Sequence, residues 1–180
     1  ERMEIRDALA YFRVVAQPAD DLALERIINT PKRGLGGATI QTLYAYGRSK
    51  GISLFQSIQE LVETDELRPK VKNTLRELSG SFMKWQSLLS TMSHTELASH
   101  ILEESGYLAM WQADKSAEAP GRLENLKELI SAMGEFENMA EFLEHIALVL
   151  ENQDNQNQDA VTIMTLHAAK GLEFENVFLP

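Results

Sequence analysis

From Glu4 to Leu150 the apolar residues return at intervals of three and four, and this period commits most of the chain to amphipathic helices. Ile5, Ala8, Leu9, Phe12, Val15 and Ala16 place a helix over 4–16, which Gln17 and Pro18 break. Asp20 or Asp21 can cap a second helix that runs to about Asn29 and is closed by Pro31. The stretch PKRGLGGATI follows. Its glycines Gly34, Gly36 and Gly37 mark a tight turn, after which Thr39 can cap a third helix carrying Ile40, Leu43 and Tyr44 toward Gly51. Further helices are expected over 53–62, 69–90, 95–106, around Leu108 and Trp111, over 122–138 and over 140–150, with DKSAEAPG as a surface loop.

The pattern then changes. ENQDNQNQDA, from Glu151 to Ala160, is polar and holds no residue that could anchor it in a core. Val161 to Leu166 and Asn176 to Leu179 are β-branched, apolar runs without clean alternation, as strands buried on both faces would be. Two such strands need more cover than this sequence provides, so their sheet neighbours are expected to lie in a longer chain.

Composition narrows the classes. Hydrophobic residues make up 44% and charged residues 24%, values of a folded globular protein. There is no signal peptide, no apolar run near the roughly 18 residues a membrane span needs, and no cysteine for a disulfide or thiolate metal site. A cytoplasmic protein without membrane partners is expected. The net charge of −10 argues against a surface coated in nucleic acid but leaves room for a local site. Between Leu24 and Lys50 stand Arg26, Lys32, Arg33, Arg48 and Lys50 against Glu25 alone, a local +4.

Two motifs can carry chemistry. Backbone amides exposed by adjacent glycines at a helix start form an anion site, with Lys32 and Arg33 beside it; DNA phosphate suits that combination. The competing reading is a plain turn whose cations face water. TLHAAKGLE places His167, Lys170 and Glu173 just after a strand, where α/β sheets carry their sites, although composition alone favours a solvated turn at a strand end. It is not a P-loop, since the first glycine and final hydroxyl of that motif are missing. Ser81 and Lys84 form an SxxK spacing without its partner motifs, His94 and His100 are too far apart for one helical metal face, and Trp85 and Trp111 fall on core stripes.

MTLHAAKGLEFENVF closely resembles motif V of the UvrD/Rep/PcrA family of superfamily 1 DNA helicases. The opening ERMEIRDALAYFRVVAQPADDLALERIINTPKRGLGGATI is similar to the family's passage from domain 2A into domain 2B, and GRLENLKELI and EFLEHIALVL resemble two further signatures in the same order. The resemblance implies a mainly α fold: a helical 2B-type domain with a helix-hairpin-helix-like glycine turn, plus a small α/β remnant of a RecA-like domain. It divides the chain into a 2A helix over 1–16, domain 2B over 17–150, a polar linker over 151–159 and a strand-loop-strand of 2A over 160–180.

The same resemblance implies an ATP-dependent helicase moving 3′ to 5′ on single-stranded DNA, in which 2B contacts duplex DNA and regulates unwinding. Gly34, Leu35 and Gly36 correspond to the family's duplex-contacting loop, with Leu35 where isoleucine is usual; Gly37 follows, and Thr39 would donate to a phosphate. Thr165, His167 and Lys170 match the single-strand side of motif V, and Glu173 matches the acid that reaches the nucleotide ribose. ATP and Mg²⁺ are the expected cofactors of the whole protein. Its expected partners are duplex and single-stranded DNA, the remaining helicase domains and repair proteins, with a bacterial, nucleoid-associated location. The Walker A lysine, Walker B carboxylates and motif VI arginine are not in this sequence, so no ATPase activity is expected of this chain alone. A protein-interaction module that never touches DNA is the alternative.

Overall fold

A computed structural model describes residues 2–156, and all the regular structure among them is helical. The strands expected after Ala160 lie outside the described residues. Two compact units divide at His145 and Ile146. The first holds α1 (Met3–Ala16), α2 (Asp21–Ile27), α3 (Gly37–Lys50), α4 (Leu54–Leu61), α5 (Pro69–Leu88), α6 (His94–Glu104), α7 (Tyr107–Ala113), α8 (Ala119–Met133) and the start of α9 (Met139–Gln156). Of the second unit, the described residues are the remainder of α9.

Helix ends follow local chemistry. Asp20 caps α2 by accepting from the Ala23 amide at 3.0 Å. Ser53 and Gln56 form a capping box on α4, and Pro69 opens α5 at a position where a missing N–H costs nothing. α9 continues to Gln156, past the end near Leu150 that the polar composition suggests.

α1 is the centre of the first unit. It packs against α2, α5, α6 and α8 and buries a broad face, from Ala8 through Phe12 to Val15, with Arg6 and Arg13 exposed on the opposite stripe. α1 belongs to the first compact unit. Tyr11 anchors an aromatic cluster: it stacks on Phe82 at 6.0 Å and lies 5.9 Å from Tyr107, while Phe82 meets Trp85 edge-on at 5.0 Å and Phe55 at 6.1 Å. Rings from α1, α4, α5 and α7 thereby share one core.

The buried carboxylates of α1 are satisfied. Asp7 accepts from Arg26 Nε at 2.6 Å and from the Tyr107 hydroxyl at 3.0 Å, and Glu4 accepts from Asn125 Nδ2 at 2.6 Å. Burial, reinforced by Asp7, pushes the Tyr107 phenol far up, so it remains a neutral donor. These contacts bind α1 to α2, α7 and α8.

α3 and α4 approach most closely at Gly47, where an added Cβ would lie 2.7 Å from Ser57 Oγ and 2.9 Å from the Ile52 carbonyl oxygen. Gly47→Ala would gain about 1 kcal/mol of helix propensity. Because one of the opposing atoms is backbone, the overpacking cost of about 1–3 kcal/mol should exceed that gain. A lower midpoint in urea denaturation is expected, and an unchanged or raised midpoint would show that the helices can separate freely.

Candidate nucleic-acid interface

The glycine turn is held from within. After α2, Asn29 Oδ1 accepts from the amides of Arg33 at 2.7 Å and Leu35 at 3.3 Å. The Tyr11 hydroxyl donates to the Thr30 carbonyl at 2.5 Å, and a cis peptide joins Thr30 to Pro31. Gly34 turns the chain with φ +75°, a conformation that suits glycine. Leu35 then inserts into the core at 1% exposure, pinning the tip of the turn.

Arg33 belongs to this scaffold. Its Nη1 donates to the carbonyls of Ile27 at 2.9 Å and of Ile28 and Pro31 at 3.3 Å, and its Nη2 donates to the Tyr11 hydroxyl at 2.6 Å and the Ser105 carbonyl at 3.3 Å. The guanidinium also lies 6.0 Å from the centre of the Tyr11 ring. The guanidinium expected to face phosphate bonds internal oxygens with both terminal nitrogens. Three carbonyls at the end of α2 and one after α6 converge there, and a planar five-donor group satisfies them together. Burial pushes the Tyr11 phenol up despite the opposing charge of Arg33.

Two of the four remaining cations are also committed. Arg26 pairs with Asp7 at 2.6 Å and Lys50 with Glu60 at 2.7 Å. Lys50 and Glu60 hold each other charged: hydrogen bonding to Glu60 raises the ammonium, and hydrogen bonding to Lys50 lowers the carboxyl. Lys32 and Arg48 are exposed, with no hydrogen bond or ion pair to another described residue.

What lies open is the start of α3. Gly36 is the N-cap, with extended φ −85° and ψ 170°, and it has no side chain with which to cap the helix. Its carbonyl accepts from the amides of Thr39 at 3.0 Å and Ile40 at 3.3 Å. Thr39 is thus in the first turn and half-buried, not the cap that its residue type suggests. The reason is that Gly36 reaches the capping geometry first, and the helix starts through Gly37 and Ala38. Their amides are the N-terminal donors that helix geometry leaves without an intrahelical acceptor.

Among the described residues nothing requires glycine at 36 or 37: both φ values lie outside the left-handed region, and a Cβ at either would meet none of their atoms within 4 Å beyond the adjoining backbone. The bare backbone therefore faces open space. An anion can reach the Gly37 and Ala38 amides at the positive end of a fourteen-residue helix.

Gly34, Gly36, Gly37 and Thr39 form the turn and the first turn of α3, Lys32 precedes them and is exposed, and Arg33 holds internal oxygens. Thr165, His167, Lys170 and Glu173 lie outside the described residues. Asn29, Tyr11 and Ser105 complete the site without having been singled out from sequence, and Leu35, named there as part of the loop, is its core anchor. Asn29 carried a local signal, as a side chain able to fold the next turn of backbone onto itself. Tyr11 and Ser105 carried none, because they are distant in the chain.

The remaining motifs are structural. Ser81 Oγ donates to the Glu77 carbonyl, Lys84 pairs with Glu104 at 2.7 Å, and His94 Nε2 lies 2.7 Å from the Met133 carbonyl oxygen. Among the described residues no cluster of His, Asp or Glu could hold a metal, and no helix is long and apolar enough to cross a membrane.

The family described as the UvrD-like helicase C-terminal domain matches residues 1–180. A probable DNA helicase II homolog of Rickettsia felis is 46% identical across 100% of this chain, which corresponds to 28% of that relative. The ATP-dependent DNA helicase PcrA of Bacillus subtilis is 38% identical and the DNA helicase II of Escherichia coli 35% identical, each across 99% of this chain and 26% of the relative. The chain thus spans little more than a quarter of the length of these relatives.

Proposed function

This chain belongs to the UvrD-like helicase C-terminal domain family, and from that membership we propose that it is the duplex-contacting 2B-type part of an ATP-dependent 3′–5′ DNA helicase. The observation that carries this reading is the bare start of α3, where Gly36 and Gly37 leave two amides open and no packing among the described residues calls for their missing side chains. A backbone phosphate accepts from those amides and meets the helix dipole and Lys32. Such contacts position a duplex without reading its sequence. Within the whole protein, ATP and Mg²⁺ serve the RecA-like motor, with Glu173 near the ribose and Thr165, His167 and Lys170 along the single strand. The 2B-type part holds the duplex ahead of it.

Gly36→Asp tests the reading sharply, because its two effects have opposite signs. Aspartate is a favoured N-cap and should keep or raise stability by up to about 1 kcal/mol. Its carboxylate would also occupy the amides and repel phosphate. Fluorescence anisotropy with a 3′-tailed duplex at low salt should give binding to the unaltered chain and a large loss for Gly36→Asp at an undiminished Tm. Lys32→Ala should lower the slope of log K against log salt by about 0.9, one phosphate contact. Duplex binding unaffected by either change would sink the reading in favour of a protein-interaction module.

A further inference from the structure

α3 has little of its surface in the core. Of its fourteen residues only Leu43 and Gly47 are buried, against nine of fourteen in α1. Its main packing partner among the described helices is α4, met most closely at Gly47. Much of what fastens it is polar and exposed to water. The Tyr44 hydroxyl donates to Glu25 Oε2 of α2 at 2.6 Å. The Tyr46 hydroxyl and the Lys50 ammonium both donate to Glu60 Oε2 of α4, at 2.8 and 2.7 Å, and the ammonium lies 4.6 Å from the centre of the Tyr46 ring. Burial and the bond to Glu25 push the Tyr44 phenol well up, so it remains a donor. The chain on either side of α3 is fixed: Leu35 and Leu54 are each 1% exposed, and the Leu54 amide donates to Asp21 Oδ1 at 2.7 Å. Between these anchors stand residues able to pivot. Gly36 and Gly37 open the helix, where an added Cβ would meet no described atom within 4 Å beyond the adjoining backbone, and Gly51 closes it with φ +68°.

We propose that α3 is a hinged element latched by two carboxylates: residues 36–51 swing away from α2 and α4 as one unit, pivoting at the flanking glycines, when the hydrogen bonds to Glu25 and Glu60 release, while the core around α1 stays folded. Segments with few buried apolar contacts and exposed hydrogen bonds are the first to open in a folded protein. The latches suit such a role because hydrogen bonds that water can replace are individually weak and break without leaving a buried group stranded. This opening depends on the packing of α3 and not on the duplex reading of the glycine turn. On that reading, the same swing carries the phosphate site with it.

Native-state hydrogen exchange of the 180-residue chain, followed amide by amide, tests this with two kinds of change. Tyr44→Phe/Tyr46→Phe keeps both rings and removes both hydroxyl donors, so the hydrogen-bonded amides of α3 should exchange about tenfold faster. Ile101→Val removes one buried methyl group from α6, whose main contacts are with α1, α5, α7 and α8. It should speed exchange severalfold in the middle of α1, where amides open only with the whole unit, and leave α3 at its original rate. In the unaltered chain α3 should already exchange faster than α1. Equal rates in the two helices, or acceleration of α3 by Ile101→Val to the same degree as α1, would mean that α3 opens only by global unfolding and would overturn the proposal. Unchanged α3 exchange in the tyrosine variant would overturn it as well, because the hydroxyls would then not be what holds the helix down.

Discussion

Arg33→Ala is expected to destabilise the helical unit by about 2–4 kcal/mol, the loss of several charge-assisted hydrogen bonds that act as one group. The guanidinium joins carbonyls of Ile27, Ile28, Pro31 and Ser105 to the Tyr11 hydroxyl. Truncation strands those acceptors where water can reach only some of them. Against a typical domain stability of about 5–15 kcal/mol, this is a large fraction. Arg33→Lys should recover little, because one ammonium cannot span four carbonyls and a phenol. Lys32→Ala, on an exposed and unpaired neighbour, should stay within about 0.5 kcal/mol. Urea denaturation of the three variants decides the matter. Native stability in Arg33→Ala, combined with lost DNA binding, would return the guanidinium to the outer surface. It follows that a combined Lys32 and Arg33 variant cannot report on charge alone, since unfolding would also abolish binding.

Trp85→Ala should cost about 3–5 kcal/mol, the range for deleting a large buried aromatic side chain. Trp85 is 1% exposed, meets Phe82 edge-on at 5.0 Å, and donates from Nε1 to Glu104 at 2.8 Å. Trp85→Phe should cost less, since it keeps a ring against Phe82 and loses the hydrogen bond. Hydrogen bonds from Lys84 first and Trp85 second hold the Glu104 carboxyl below its ordinary value. The folded state therefore favours the ionised form, and this contribution is present above the ordinary glutamate range and lost as pH falls through the lowered value. Acid titration of stability should show a smaller decline in Trp85→Phe than in the unaltered chain. Equal declines would mean that the indole does not help to hold Glu104 ionised.

Much of the helical order is legible in the sequence because its causes are local. The three- and four-residue period of Val71, Leu75, Leu78, Phe82 and Trp85 matches α5, and Asp20 and Ser53 cap their helices through atoms only three residues away. Thr39 fails as a cap for an equally local reason that residue type conceals: Gly36 adopts the capping geometry first. The polar run after Leu150 hides a helix because composition describes solvation, and a helix can be solvated throughout.

The sequence by itself determined a mainly helical chain, the glycine turn and its position before α3, and the family, because period, turn chemistry and motif order are written along one dimension. Only the tertiary structure decided which charges remain available. Arg33 meets Tyr11, 22 residues away, and Ser105, 72 residues away; Arg26 meets Asp7 at 19, and Lys50 meets Glu60 at 10. Counting cations in the segment could not anticipate those pairings, since each partner arrives on another helix. Folding also decided what encloses α1: its apolar face is covered by α2, α5, α6 and α8, most of them distant in the chain, while Arg6 and Arg13 stay exposed on the remaining stripe.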